Sequence, residues 1–165
     1  MVYILMGVAG CGKSSVGKML SEELLKPFFD ADKFHFSKNI DKMKNEQALS
    51  DEDRVSWLFF LNQKIREWNK ARGAVLACSA LKESYRTIIG KGNDVFFIFL
   101  DGEKELIAQR ISSRKGHFFS GKLLQTQFDI LEKPAYGMQV SIAHSVQEIC
   151  HEILDTLENT DARRK

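Results

Sequence analysis

The chain has 165 residues, 44% hydrophobic and 28% charged, an ordinary composition for one water-soluble domain with a substantial core. Its formal net charge of +2 is too small to argue for a nucleic-acid or membrane partner. No apolar stretch approaches the roughly 18 residues of a membrane span. Val2–Met6 is apolar, but no charged region precedes it and glycine and lysine follow at once, unlike a signal peptide. Cys11, Cys78 and Cys150 are widely spaced and odd in number, which suits the cytoplasm and argues against a disulfide framework. His144 and His151 stand two helical turns apart, about 10 Å along an axis, so no zinc site is expected. Arg163-Arg164-Lys165 reads as a solvated tail.

Consecutive apolar residues predict a first strand over Val2–Met6, and a helix-compatible run over residues 15–25 follows it. A second strand is expected at residues 28–29. Ser50 and Asp53 then form a capping box opening a helix that carries Leu58, Leu61, Ile65 and Trp68 at three- and four-residue steps. Strands at residues 74–78 and 95–100 bracket the middle of the chain. Leu106, Ile107 and Ile111 mark another helix, residues 138–143 a weaker strand, and Ile149, Cys150, Ile153, Leu154 and Leu157 a closing helix. No repeat or linker divides the chain, so one domain over 1–165 is expected. The alternation predicts an α/β fold, a doubly wound sheet that binds ligands at the carboxyl ends of its strands.

The strongest motif is Gly7-Val8-Ala9-Gly10-Cys11-Gly12-Lys13-Ser14, a full match to G-x-x-x-x-G-K-[ST] between a strand and a helix. Glycines let the backbone curl so that successive N–H groups face phosphate oxygens, and the helix N-terminus adds its partial positive charge. Lys13 is suited to the β- and γ-phosphates of a nucleoside triphosphate, and the Ser14 hydroxyl to Mg²⁺. Gly7, Gly10, Cys11, Gly12 and Ser15 complete the predicted nucleotide-binding set. Cys11 has two readings. Its position near helix-opening N–H groups and Lys13 would favour a reactive thiolate, and the plainer reading is that it fills a small-residue slot.

Asp30-Ala31-Asp32 closes the second strand with carboxylates spaced by two, which share one face if the chain is extended. Asp30 is then suited to the Mg²⁺ shell and Asp32 to accepting a proton from a substrate hydroxyl. Equally, either aspartate could N-cap a following helix. Asp101 also ends an apolar strand, but Gly102 and a helix follow it, where an aspartate caps or turns more often than it holds metal.

With these residues stand Asn39-Ile40-Asp41-Lys42-Met43, Leu49-Ser50-Asp51-Glu52-Asp53-Arg54, Trp57-Leu58 and Cys78-Ser79-Ala80-Leu81-Lys82 with Tyr85-Arg86. Then come Arg114-Lys115-Gly116-His117-Phe118-Phe119, Gln127-Phe128 and Leu131-Glu132 with Pro134. As an ordered set they resemble the bacterial-type gluconate kinases, relatives of shikimate and nucleoside monophosphate kinases. The resemblance implies a P-loop kinase fold, with a five-stranded parallel sheet and helices on both faces. It also implies a substrate-binding helical segment over about 33–70 and a lid over about 112–125. ATP with Mg²⁺ would phosphorylate the 6-hydroxyl of D-gluconate, and a homodimer is the expected assembly.

Gluconate is an anionic polyol, so its site calls for a fork-shaped cation and hydroxyl partners. Arg54, Arg86 and Lys82 are the candidate cations, and His35, His117 and Gln127 the further substrate contacts. Lys13, Asp32 and Arg114 form the expected catalytic set, with Arg110 on the nucleotide. Arg110, Arg114, Lys115 and His117 would bring charge over the phosphates as a lid. Ala31 stands where the family commonly has glycine, Phe36 where proline is usual, and the stretch after Pro134 is shortened. A kinase of the same scaffold for another hydroxy acid or a nucleoside monophosphate is the alternative. A non-catalytic nucleotide-binding module is a more distant one. The guanine-reading run Asn-Lys-x-Asp is absent, since Ala71-Arg72 follow Asn69-Lys70.

Overall fold

Runs of β-branched, aromatic and aliphatic residues build the strands: β1 (Val2–Met6), β2 (Phe28–Asp30), β3 (Ala74–Ala77), β4 (Val95–Asp101) and β5 (Met138–Ser141). They form one parallel sheet in the order β2-β3-β1-β4-β5, with β1 at its centre. The computed structural model describes residues 1–45, 47, 49–113 and 121–162. Its helices are α1 (Lys13–Glu23), α2 (Ser37–Lys44), α3 (Asp51–Lys70), α4 (Glu83–Gly90), α5 (Lys104–Ser112), α6 (Gly121–Ile130) and α7 (Val146–Ala162).

Strand side chains alternate between two buried layers. On one face Leu5, Val75, Ile98 and Val140 pack with Val16 and Leu20 of α1 and Ile149 and Ile153 of α7. On the other, Ile4, Leu76, Phe97 and Phe99 pack with Leu58, Leu61 and Ile65 of α3 and Ile89 of α4. Helices on both faces make continuous apolar strands possible, because neither surface of the sheet meets water. All five predicted strands form. The last ends at Ser141, short of residue 143, where the chain turns towards α7.

The box predicted at the start of α3 is present. Asp53 N–H donates to Ser50 Oγ at 3.2 Å, and Ser50 N–H to Asp53 Oδ2 at 3.0 Å. Lys42 Nζ adds a 2.7 Å ion pair to the same carboxylate, the leading cause that holds the Asp53 pKa down at about 2. Helices α2, α4 and α6 are short and were not foreseen individually. In the segment expected as a lid, α5 ends at Ser112 and α6 starts at Gly121. Arg114, Lys115, His117 and Phe118-Phe119 lie outside the described residues. Among the described residues no helix is long and apolar enough to cross a membrane.

Candidate active site

The phosphate loop leaves β1 at the carboxyl edge of the sheet, where open α/β sheets hold ligands. Gly7, Gly10 and Gly12 all have positive φ, which keeps the loop backbone turned inward. At Gly7 (φ 140°) a Cβ would lie 2.9 Å from both the Leu100 carbonyl and Cys11 Sγ, so no larger residue fits. Gly12 precedes α1 in the left-handed region, and no side chain caps that helix end. Its first N–H groups thus keep their capacity for an anion. Lys13 folds back over the loop, donating to the carbonyls of Gly7 (3.0 Å) and Val8 (2.9 Å).

Of the two readings left open for Asp30 and Asp32, the N-cap forms and the shared extended strand does not. The chain turns into a 3₁₀ helix over Ala31–Phe34 at once, because Asp30 Oδ1 accepts the Asp32 N–H at 3.1 Å. Asp30 is thus an N-cap, and it still reaches the phosphate loop, where Ser14 Oγ donates to its Oδ2 at 3.0 Å. The turn leaves the Asp32 side chain 74% accessible. Partial loss of water around the carboxylate raises its pKa, with Asp30 adding to the rise and Lys13 and Arg54 opposing it.

His35 is buried, its ring stacked on Trp57 at 4.2 Å, and its Nε2 lies 3.9 Å from Asp32 Oδ1. Burial first, and Arg54 second, push its pKa down to about 4, so it is neutral at pH 7. Trp57 is itself fixed, its Nε1 donating to the Ala31 carbonyl at 3.1 Å. Arg54, on the first turns of α3, is half-buried with its guanidinium 5.7 Å from the Tyr85 ring centre. Arg54 Nε and His35 Nδ1 are both buried with no hydrogen-bond partner among the described residues. Two buried polar atoms without partners beside one cleft are costly unless a polar ligand completes them.

The remaining predicted residues fall in different places. Lys82 pairs with Asp51 at 2.7 Å, and Tyr85 Oη donates to the same carboxylate at 2.5 Å. Arg86 is 2% exposed and turned away into the protein, its guanidinium on the carbonyls of Ala80 and Leu81 and on Glu83. Gln127 sits on the phosphate loop, its Oε1 accepting the Ala9 N–H at 2.6 Å. Arg110 donates to the Ile142 carbonyl at 2.6 Å, beside the loop that follows β5. Ser15 is exposed on the first turn of α1. Cys11 is wholly buried, so its sulfur fills a slot beneath Gly7 and is closed to reagents. Asp101 caps no helix. Lys133 Nζ and Gln139 Nε2 both hold it at 2.8 Å, and Glu103 takes the N-cap position of α5.

Sequence reasoning passed over Trp57 as the platform under His35, Asp51 as the partner of Lys82, and Ser79, whose carbonyl accepts the Gly7 N–H at 3.2 Å. Trp57 and Ser79 stood inside quoted motifs, but spacing alone carries no sign of a ring stack or a carbonyl contact. The residues present suit a triphosphate and a magnesium ion. Uncapped N–H groups and Lys13 meet the phosphates, while a hydroxyl and a carboxylate 3.0 Å apart meet the metal. Among the described residues no three His, Cys, Asp or Glu side chains gather to hold a metal alone, so most of its oxygen ligands would come from phosphate and water.

Comparison with known proteins agrees with this geometry. The shikimate kinase family model matches residues 9–158. A probable gluconokinase of Dictyostelium discoideum is 37% identical over 173 residues, covering 96% of this chain and 86% of its own. The thermoresistant gluconokinase of Escherichia coli is 41% identical over 137 residues, 81% of this chain and 77% of its own. The crystal structure of a gluconokinase from Sinorhizobium meliloti superposes with a TM-score of 0.86 at 36% identity, over 96% of this chain and 92% of that one. The chain therefore belongs to the gluconokinase family, P-loop kinases of the wider group that shikimate kinase represents.

Proposed function

We propose that this chain transfers the γ-phosphoryl group of ATP to the 6-hydroxyl of D-gluconate, giving 6-phospho-D-gluconate, in the cytoplasm. The observation that carries the reading is the position of Asp32. It is a carboxylate open to the cleft, electrostatically coupled to Lys13 of the phosphate loop and to Arg54 on α3. A hydroxyl hydrogen-bonded to Asp32 is oriented towards the phosphate loop, and its proton has an acceptor as the oxygen attacks. The raised pKa makes Asp32 a better base than an ordinary aspartate.

Each remaining residue binds or orients. Lys13 exchanges its loop carbonyls for phosphate oxygens and spreads the charge that develops there. Ser14 and Asp30 would hold Mg²⁺, which when bound neutralises the phosphates. Arg54 offers the acceptor's carboxylate its unpartnered Nε, and neutral His35 offers a hydroxyl its unpartnered Nδ1. Gln127 closes the cleft from α6 against Ala9, with Arg110 towards the base. Arg114 and His117 complete the set as lid residues over about 112–125, above a substrate-binding helical segment over about 33–70. Lys82 acts through Asp51 to hold α3. A homodimer fits the exposed apolar surface of Phe36, Val55 and Phe59, and sedimentation would measure it.

A coupled ATP-turnover assay tests the reading against its alternatives. Turnover with D-gluconate and none with shikimate or nucleoside monophosphates is expected. Preference for either of the latter would reassign the acceptor and keep the kinase.

A further inference from the structure

Arg86 of α4 is the largest polar side chain in the core, with 2% of its surface exposed. A guanidinium that deep must have its N–H groups matched. Its Nη1 donates to the carbonyls of Ala80 (2.8 Å) and Leu81 (3.2 Å), and Nη2 donates to Glu83 Oε2 (2.8 Å). Its Nε is shared between Glu83 Oε2 and Tyr136 Oη, both at 3.1 Å, and Tyr136 Oη donates onward to the Glu83 carboxylate at 2.9 Å. The backbone it holds is unusual. Ala80 has φ 44°, a left-handed conformation that costs a residue with a Cβ about 1–2 kcal/mol. Such a residue persists only where its surroundings over-determine it. Arg86 grips that residue's own carbonyl and the next.

From this turn, contacts run to three parts of the site. The Ser79 carbonyl accepts the N–H of Gly7, the first glycine of the phosphate loop, at 3.2 Å. Lys82 and Tyr85 both hold Asp51, the first residue of the helix that carries Arg54. The Leu81 carbonyl accepts the Glu132 N–H at 2.9 Å, while the Glu132 carboxylate caps α4 through the Glu83 N–H at 2.6 Å. Glu132 follows α6, the helix that places Gln127 on Ala9.

We propose that Arg86 is a positioning residue for phosphoryl transfer, locking the 79–82 turn so that the phosphate loop and the Arg54 helix keep one fixed separation. Donor side and acceptor side are thereby registered to each other through one buried side chain that touches neither. This rests on the kinase reading. It departs from the sequence-based expectation that Arg86 grips the acceptor.

Arg86→Lys and Tyr136→Phe test it, with wild type assayed first. If wild type fails to turn over ATP with D-gluconate, the functional reading fails. Affinity for a fluorescent ATP analogue, measured without acceptor, still tests the strut. Arg86→Lys should weaken the analogue severalfold, raise KM for both substrates and lower kcat about 10–100-fold, since misplacement by about 1 Å costs that much. Tyr136→Phe, which removes one hydroxyl from the same cluster, should move the same parameters in the same directions by less. A rise in the gluconate KM alone would return Arg86 to the acceptor and overturn the proposal. A lowered Tm with unaltered kcat, KM and analogue affinity would make the role merely structural and overturn it too. Should Arg86→Lys not fold, Tyr136→Phe decides by the same criteria.

Discussion

Ser14 Oγ donates to Asp30 Oδ2 at 3.0 Å, which ties the first turn of α1 to the end of β2 across the intervening strand β3. Asp30 holds that hydroxyl with one oxygen and caps the 3₁₀ helix with the other. Asp30→Asn separates the two duties, because asparagine caps as well as aspartate but carries no charge. The variant should fold normally and need about tenfold more Mg²⁺ for half-maximal rate, a loss equal to about 1.4 kcal/mol of metal binding. A rate-against-Mg²⁺ titration checks it. An unaltered midpoint would remove Asp30 from the metal site.

His35 should make the fold acid-sensitive. Its pKa is about 4 in the folded protein against an ordinary 6.5, so the unfolded chain takes up the proton first. The contribution is complete above pH 6.5 and is lost as pH falls through the interval down to about 4. A 2% accessible side chain feels little solvent screening, so the loss approaches about 3 kcal/mol, at about 1.4 kcal/mol per pH unit. The difference in Tm between wild type and His35→Gln, followed from pH 7 to pH 4, isolates this imidazole from the carboxylates that titrate in the same range. The difference should shrink or reverse towards acid. A constant difference would show that His35 titrates normally.

The strands, the phosphate loop and the capping box were legible because each depends on neighbours in sequence. Val2–Met6 is apolar without a break, Gly12-Lys13-Ser14 is contiguous, and Ser50 with Asp53 closes a ring over one helical turn. What stayed hidden depends on distant residues. That Arg86 turns inward is decided by Ala80, Glu83 and Tyr136, the last fifty residues away. Spacing left Cys11 with two readings, a reactive thiolate and a small-residue slot, and its complete burial supports the second. The even choice between cap and ligand at Asp30 had no resolution in spacing, since a carboxylate has two oxygens and this one uses both.

One stabilising change is available away from the site. Helix α1 ends in a Schellman arrangement, with Lys26 N–H on the Ser21 carbonyl at 2.9 Å and Leu25 N–H on Glu22 at 3.2 Å. Leu25 sits in the left-handed position with φ 51° and is 80% exposed, so its side chain brings strain and little burial. Leu25→Gly removes about 1 kcal/mol of strain and returns part of it through the freer unfolded chain, for a net gain of about 0.5 kcal/mol. Tm should rise about 1–2 °C, and Leu25→Val should lower it, because β-branching tolerates that region worst. The reverse order would mean that Leu25 makes a contact worth more than the strain.

Asp32 is the sharpest test of the chemistry. Asp32→Asn keeps the size and hydrogen-bonding reach of the side chain and removes the base, so kcat should fall about 10²–10⁴-fold while affinity for an ATP analogue persists. The pH profile adds a second, independent check. Only ionised Asp32 accepts the proton, so the acid limb of kcat/KM should lie above the ordinary aspartate value of 3.8, raised by crowding and by Asp30. Removing the charge of Asp30 relieves the second cause, so Asp30→Asn should move that limb to lower pH. In Asp32→Asn the residual activity should lose the limb altogether. Wild-type turnover in Asp32→Asn, or an acid limb in Asp30→Asn that stays in place, would mean that the proton leaves by another route.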